Sequence, residues 1–392
     1  MNRPELYGSM IPRYGLCIVV FLWRIKNILQ IQKKVLPFVQ HKGVVLSQGK
    51  FLLFESNEIR RNIMAQLKVK EDFVHEIVDI DTIPVPYAGI NTFNHYPYTR
   101  ELEDVDIAIM GIPYDSGVTY RNGAKIGPRG LRDVSMSVFS FNHRWDTEDF
   151  SLAKACPNII DYGDVGAYYG SLSTQVMFKE SYEHAKRILE SGANLMTLGG
   201  DHTIPYGMVR AASEVYGKLA LLHFDSHQDS WPSHGNYSHA NFAYDLWEEG
   251  CIDDKHSVQC YIRTDFEMEP GIPVPEYNII FAPEALDLGP EALAEKIKSI
   301  IGDMPVYLTF DIDSIDPAFA PATGTPVIGG PTSNEALKVL RNLEGLNVVA
   351  GDIVCVAPTL DSPAQTTCFV GDAVVQSMMC LMAKARLARK NK

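Results

Sequence analysis

Leu219-Ala220-Leu221-Leu222-His223-Phe224-Asp225-Ser226-His227-Gln228-Asp229 is an apolar run of strand length that empties into three metal-competent side chains at alternate positions. On an extended chain alternate residues point to one side, so Asp225, His227 and Asp229 are expected to face a single point past the carboxyl end of a strand. Open α/β sheets place their active sites there. The stretch therefore predicts both a strand in such a sheet and a polar site at its end.

Two further stretches repeat the pattern. Asn194 to Leu198 is an apolar run that passes into Gly199-Gly200-Asp201-His202, with His202 where a helix can begin. Tyr307-Leu308-Thr309-Phe310 leads into Asp311-Ile312-Asp313-Ser314-Ile315-Asp316-Pro317, with aspartates at alternate positions. His202, Asp225, His227, Asp229, Asp311 and Asp313 together supply two imidazoles and four carboxylates from three strand ends. So many hard donors exceed the needs of one ion. Four carboxylates come close to neutralising two divalent cations about 3.5 to 4 Å apart. No thiolate belongs to the set, which argues against a structural zinc site and for Mn2+ or a similar ion.

Between these stretches the chain alternates strand-like runs with helical periods. Runs are expected at 105–110, 159–162, 194–198, 219–224, 258–262, 306–310 and 348–354, and helices at 173–191, 204–216, 242–249, 289–301, 332–342 and 372–387. Phe178, Tyr182, Ala185, Ile188 and Leu189 form one apolar stripe at three- and four-residue spacing, ended by Gly192. Pro128 and Pro290 suit the first turns of helices. Such alternation implies right-handed crossovers and a single doubly wound parallel sheet with helices on both faces.

The 392 residues carry a formal net charge of -13 and 46% apolar side chains. Residues 1–63 hold ten Lys or Arg against three Glu, a balance of +7 that leaves -20 on the remainder. An acidic body repels phosphate, so a nucleic-acid partner is not expected, and a small cationic substrate is. The seven cysteines show no Cys-X-X-Cys spacing and suggest a reducing compartment. The eight-residue apolar run Leu16 to Trp23 is far short of the roughly 20 residues that span a bilayer, so no membrane association is expected. Residues 1–70 are read as a basic extension and 71–392 as the catalytic domain. Cytoplasmic location is expected, with an organelle transit peptide or a start at Met64 as other readings of the basic stretch. Asp72 to Tyr98, with Pro84, Pro86 and Pro97, reads as a lead-in over the domain surface.

The three motifs resemble the signatures of the ureohydrolases, the arginase and agmatinase family, with Ser226 and Gln228 where Ala and Thr are usual. The resemblance runs from about Val105 to the end of the chain. It implies an arginase-like three-layer fold, two Mn2+ or Ni2+ ions per chain, and hydrolysis of a guanidino compound to urea plus ammonia or an amine. It also implies a homo-oligomer, a trimer or hexamer. A proton-shuttling His follows the second signature, and His239 is the best match, with His234 a rival that would otherwise line the substrate loop. A Glu that holds the guanidinium matches Glu335 in the stretch Thr325 to Glu335, although Glu335 also suits a helix's first turn. Asp229 is expected to act in catalysis as well as in metal binding. Asp316 is expected to fix its loop, and His223 to be a satisfied core residue.

Two departures bear on the substrate. Arginase-like members carry a longer loop, rich in Asn, Thr and Ser, that grips the carboxylate of arginine. Here only Ser230 to Ser238 intervenes, with Trp231 and Pro232 adding bulk where a tail would run. Free guanidine is the expected substrate, with an agmatinase or guanidinobutyrase as the alternative and arginine last. Cys355 stands where the family normally has Glu, either as a core thiol or as part of a reshaped pocket. A metal-binding homologue without activity is the reading of a different class. Retention of all six ligands with His239 and Glu335 favours the enzyme.

Overall fold

A computed structural model describes residues 89–137, 145, 150–166 and 174–390 of the chain. The basic extension, Leu16 to Trp23, Met64 and the lead-in before residue 89 lie outside the described residues. Among the described residues eight strands form one sheet: β1 (Ile107–Gly111), β2 (Ile159–Asp164), β3 (Asn194–Leu198), β4 (Ala220–Phe224), β5 (Val258–Ile262), β6 (Asn278–Phe281), β7 (Pro305–Asp311) and β8 (Asn347–Val354). Their order is β2-β1-β3-β8-β7-β4-β5-β6, and every pair is parallel.

A parallel sheet is covered on both faces, so its strands read as continuous apolar runs rather than alternating ones. All five residues of β1, β3, β4 and β5 are buried accordingly. Among the described residues eight helices surround the sheet: α1 (Gly127–Ser135), α2 (Leu152–Ala155), α3 (Thr174–Glu190), α4 (Pro205–Tyr216), α5 (Phe242–Glu248), α6 (Ala282–Ile301), α7 (Ser333–Asn342) and α8 (Thr366–Lys390). The stripe foreseen on α3 is buried at Phe178, Ala185, Ile188 and Leu189 and packs against α4. Helix α8 lies along β8 and packs against both α1 and α7. It is long and apolar enough to cross a membrane by length and composition. Yet 83% of that apolar window is buried in the fold, as in a core helix.

Four elements differ from the sequence reading, the one-turn helix α2 being unforeseen. The helix foreseen from Gly289 extends back to Ala282, with Gly289 at φ 73° breaking it before Pro290. The last helix begins at Thr366 rather than Asp372. Strand β6, four residues at the sheet edge, was not foreseen because so short an apolar run carries no period.

The order of strands positions the site. The chain passes from β3 to β4 and leaves two places that β8 and β7 fill later. The carboxyl ends of β3, β7 and β4, which carry the three motifs, therefore meet at a switch point in the sheet.

Candidate metal centre

The six residues form one cluster with two centres. Nδ1 of His202 lies 2.9 Å from Oδ2 of Asp225, 3.0 Å from Oδ2 of Asp229 and 3.3 Å from Oδ2 of Asp311. Nδ1 of His227 lies 3.3 Å from Oδ1 of Asp225 and 3.2 Å from Oδ2 of Asp313. Asp225 thus turns one oxygen to each histidine. This corrects the expectation that Asp225, His227 and Asp229 face a single point. Strand β4 ends at Phe224, and Oδ1 of Asp225 then accepts from the His227 amide at 2.6 Å, a tight turn that sends His227 to the second centre. Asp229, in the left-handed region at φ 48°, returns to the first.

The Asp311 pair divides in the same way. Asp311 ends β7 and accepts from the amide of Asp313 at 2.8 Å, so a turn of 3-10 helix over Ile312–Ser314 directs Asp313 to His227. Oδ1 of Asp313 is held by the amide and hydroxyl of Ser226, at 3.1 and 2.8 Å. His202 precedes α4. Gly200 beside it has no freedom to carry a side chain, because a Cβ there would stand 1.8 Å from the carbonyl oxygen of Tyr114.

The electrostatics fit divalent cations. Burial opposes ionisation of Asp225, yet His223, His202 and His227 outweigh it and hold its carboxyl well below the usual range. For Asp311 burial and the carboxylates of Asp313 and Asp225 act together and push it well above. Burial works against charge on His227, but Asp313 and Asp225 raise its pKa to about 12. The carboxylates around His202 likewise raise it well above normal against the effect of burial. Its Nδ1 is buried without a well-directed hydrogen bond despite three carboxylate oxygens within 3.3 Å. A ligand nitrogen aimed at a cation shared with those oxygens explains that arrangement. The donor set of imidazole and carboxylate suits Mn2+ or Ni2+.

Around the six lies a layer that sequence reasoning largely missed. Nε2 of His202 lies 2.8 Å from Oγ1 of Thr309, whose hydroxyl donates to Asp352, which also accepts from Tyr307. With its proton committed to Asp352, Thr309 must accept from Nε2–H, which leaves Nδ1 free as a ligand. His223 falls geometrically within the first centre. Its nitrogens are both used, however: Nε2 on Asp225 at 2.8 Å and Nδ1 on Gln259 at 3.2 Å. It positions Asp225.

The remaining candidates separate. His239 sits against the loop after β1: Nε2 is 2.7 Å from Oγ1 of Thr119 and accepts from the Thr119 amide, and the His239 amide donates to Gly117. That loop is tied to the motifs by Gly117 donating to Asp201 at 2.8 Å. His234 is exposed at a turn, with φ 47°. Trp231 is 36% exposed and packs on Phe266 with ring centroids 4.7 Å apart. Glu335 stands in the first turn of α7, as its sequence context also suggests. Its carboxylate accepts from the Thr332 amide at 2.8 Å while its own amide donates to the Thr332 hydroxyl at 3.1 Å, a reciprocal cap on α7. The stretch reaches the cluster through Thr325, 3.3 Å from Oδ2 of Asp313. Asp316 holds its loop by accepting from the amides of Ala318 and Gly329 at 2.9 and 2.7 Å. Cys355, just past β8, is buried with φ 64°, and the carboxylate of Asp311 is near enough to help burial push its thiol up, so it borders the site.

A parallel α/β sheet with two such centres sharing a carboxylate at its switch point defines a hydrolase of the dinuclear-metal class. The chain belongs to the family described as the Arginase family, which matches residues 105–380. It is 42% identical over 307 residues to an agmatinase of Chromobacterium violaceum, covering 77% of this chain and 91% of that protein. An agmatinase of Photorhabdus laumondii is 40% identical over 293 residues, 75% and 91% of the two chains. A crystal structure of a hypothetical agmatinase from Burkholderia thailandensis superposes with a TM-score of 0.70 at 37% identity, covering 78% of this chain and 94% of that one. Proclavaminate amidino hydrolase from Streptomyces clavuligerus gives 0.69 at 30% identity, with 76% and 99% covered. The chain is a ureohydrolase.

Proposed function

We propose that this ureohydrolase acts on a small guanidino cation that lacks a carboxylate, releasing urea and ammonia or an amine. The observation that carries the reading is Asp225 shared between His202 and His227, which supports two cations side by side. Two divalent ions held there, Mn2+ or Ni2+, supply a water of lowered pKa, toward about 7, as nucleophile. His202, Asp225, Asp229 and Asp311 would hold one ion, and Asp225, His227 and Asp313 the other. Asp229 would in addition face the reacting carbon.

Expelling an amine from a tetrahedral carbon requires a proton, and His239 is the group we assign to it. The Thr119 amide donates to its Nε2, which fixes the Nδ1–H tautomer and leaves the Nδ1 proton as the one the ring can deliver to the leaving amine.

Polar side chains of the loop from Ser230 to Ser238 support the exclusion of arginine. The Ser230 hydroxyl donates to Gln228, Ser233 accepts from Gly235, and Ser238 binds Asn241, whose amide in turn holds Trp231. These three serines are engaged within the loop and its flank, which leaves them poorly placed to grip a carboxylate. Free guanidine or a short alkylguanidine is our first choice, from the brevity of this loop. Agmatine is the second, favoured by relatives named agmatinase at 37 to 42% identity and by the exposed Trp231 ring on half-buried Phe266, to which a distal ammonium could bind for about 0.5 to 2 kcal/mol. We place the protein in the cytoplasm as a homo-oligomer.

A urea-release screen over guanidine, agmatine, 4-guanidinobutyrate and arginine, with Mn2+ and Ni2+ supplied separately, tests the reading. No urea from any of them in fully metal-loaded protein would favour the inactive homologue.

A further inference from the structure

Arg263 follows β5, and all five of its guanidinium N–H groups are spent on backbone carbonyls. Nη2 donates to Asp313 at 2.7 Å and Val327 at 2.8 Å, Nη1 to Tyr261 and Ser314 at 3.0 and 3.1 Å, and Nε again to Val327 at 3.2 Å. Its own amide donates to the carbonyl of Ser226 at 3.0 Å. Ser226 precedes His227, and Asp313 is the partner of His227. One residue therefore pins both loops of the second centre by their backbones.

The Gly329-Gly330 pair, which the ligand set leaves unexplained, belongs to the same device. A Cβ at Gly330 would stand 2.6 Å from the Ser314 oxygen and 2.8 Å from both Nη2 of Arg263 and the Asp316 amide. Only glycine lets this strap close over the guanidinium. None of these bonds reaches His202 or Asp229.

Resting on the dinuclear reading above, we propose that Arg263 is a positioning residue for the Asp225, His227 and Asp313 centre, holding the Asp313 backbone so that its carboxylate meets His227. The planar fork matters, because an ammonium on a flexible stem cannot reach carbonyls on opposite sides at once. The proposal makes a prediction opposite in sign to simple electrostatics. A fixed positive charge beside a cation site repels the cation, so its removal should tighten binding. Loss of a positioning contact should weaken it.

The test is calorimetric titration of metal-stripped full-length protein with Mn2+ alone and with Ni2+ alone, for wild type, Arg263→Gln and Arg263→Lys, each checked for folding by circular dichroism. Wild type should bind two ions per chain. Arg263→Gln should keep the affinity of the first ion within threefold and weaken the second by about 10- to 100-fold. Arg263→Lys, which keeps the charge, should also weaken the second ion by more than threefold. Should Arg263→Gln fail to fold, Arg263→Lys carries the test by the same split. A tighter second ion in Arg263→Gln, a wild-type second ion in Arg263→Lys, or equal weakening of both ions would overturn the proposal. Wild type that never binds a second ion would instead overturn the dinuclear reading itself.

Discussion

Nε2 of His202 lies 2.8 Å from the hydroxyl oxygen of Thr309, two side chains that come from the first and last of the three motifs, 107 residues apart. The bond fixes the ring and its tautomer, and Asp352 behind Thr309 fixes the hydroxyl in turn. Groups that orient metal-ligating histidines typically contribute 10- to 100-fold to affinity or activity. Thr309→Val keeps the shape of a buried strand residue and removes the acceptor. It should weaken the ion at His202 by about that factor, with the ion at His227 changed less. Titration with Mn2+ checks this, and unchanged binding would show the relay to be incidental.

His239 and His234 are separated by their surroundings. His239→Ala should reduce kcat by about 100- to 10,000-fold if it delivers the proton. His234→Ala, at an exposed turn, should change it less than threefold. Steady-state rates of urea release decide the matter, and equal small effects at both positions would place the shuttle elsewhere.

Glu335 allows a clean separation of charge from capping. Gln at this position keeps the reciprocal cap but loses the negative charge. Glu335→Gln should leave KM within threefold of wild type. Thr332→Ala should cost about 0.5 to 2 kcal/mol of stability, read by thermal or urea unfolding. A tenfold rise in KM for Glu335→Gln would return Glu335 to the guanidinium-binding role that its sequence context suggests.

Substrate order follows from the loop. Guanidine should exceed agmatine and 4-guanidinobutyrate in kcat/KM, with arginine last, and Trp231→Ala should narrow the gap between guanidine and agmatine. Competition assays with purified protein measure it directly. If agmatine already leads by tenfold in the wild type, the relatives' activity is the better guide and the loop argument fails.

The cluster was legible because each of three apolar strands ends in a dense run of His and Asp, a pattern that few structural roles demand. Its division between two centres was not, because it depends on turns after the strands end. At Asp225 and Asp311 the carboxylate that faces the cluster also accepts a backbone amide two residues on, and that bond breaks the alternation. Thr309 and Asp352 were hidden inside apolar strands, where a threonine reads as an ordinary β-former. Arg263 was invisible for another reason. It recognises carbonyl oxygens, and every residue has one. At Glu335 the first-turn role was legible as well, from Thr332 three residues before it.

The central claim is that Asp225 is shared by two cations. Metal analysis of protein dialysed against Mn2+ or Ni2+ tests it most directly, in wild type, His227→Asn and Asp311→Asn. Wild type should hold two ions per chain, His227→Asn one, and both variants should lose urea release while keeping most of the fold. A wild-type protein that never exceeds one ion per chain under any loading condition would contradict the account.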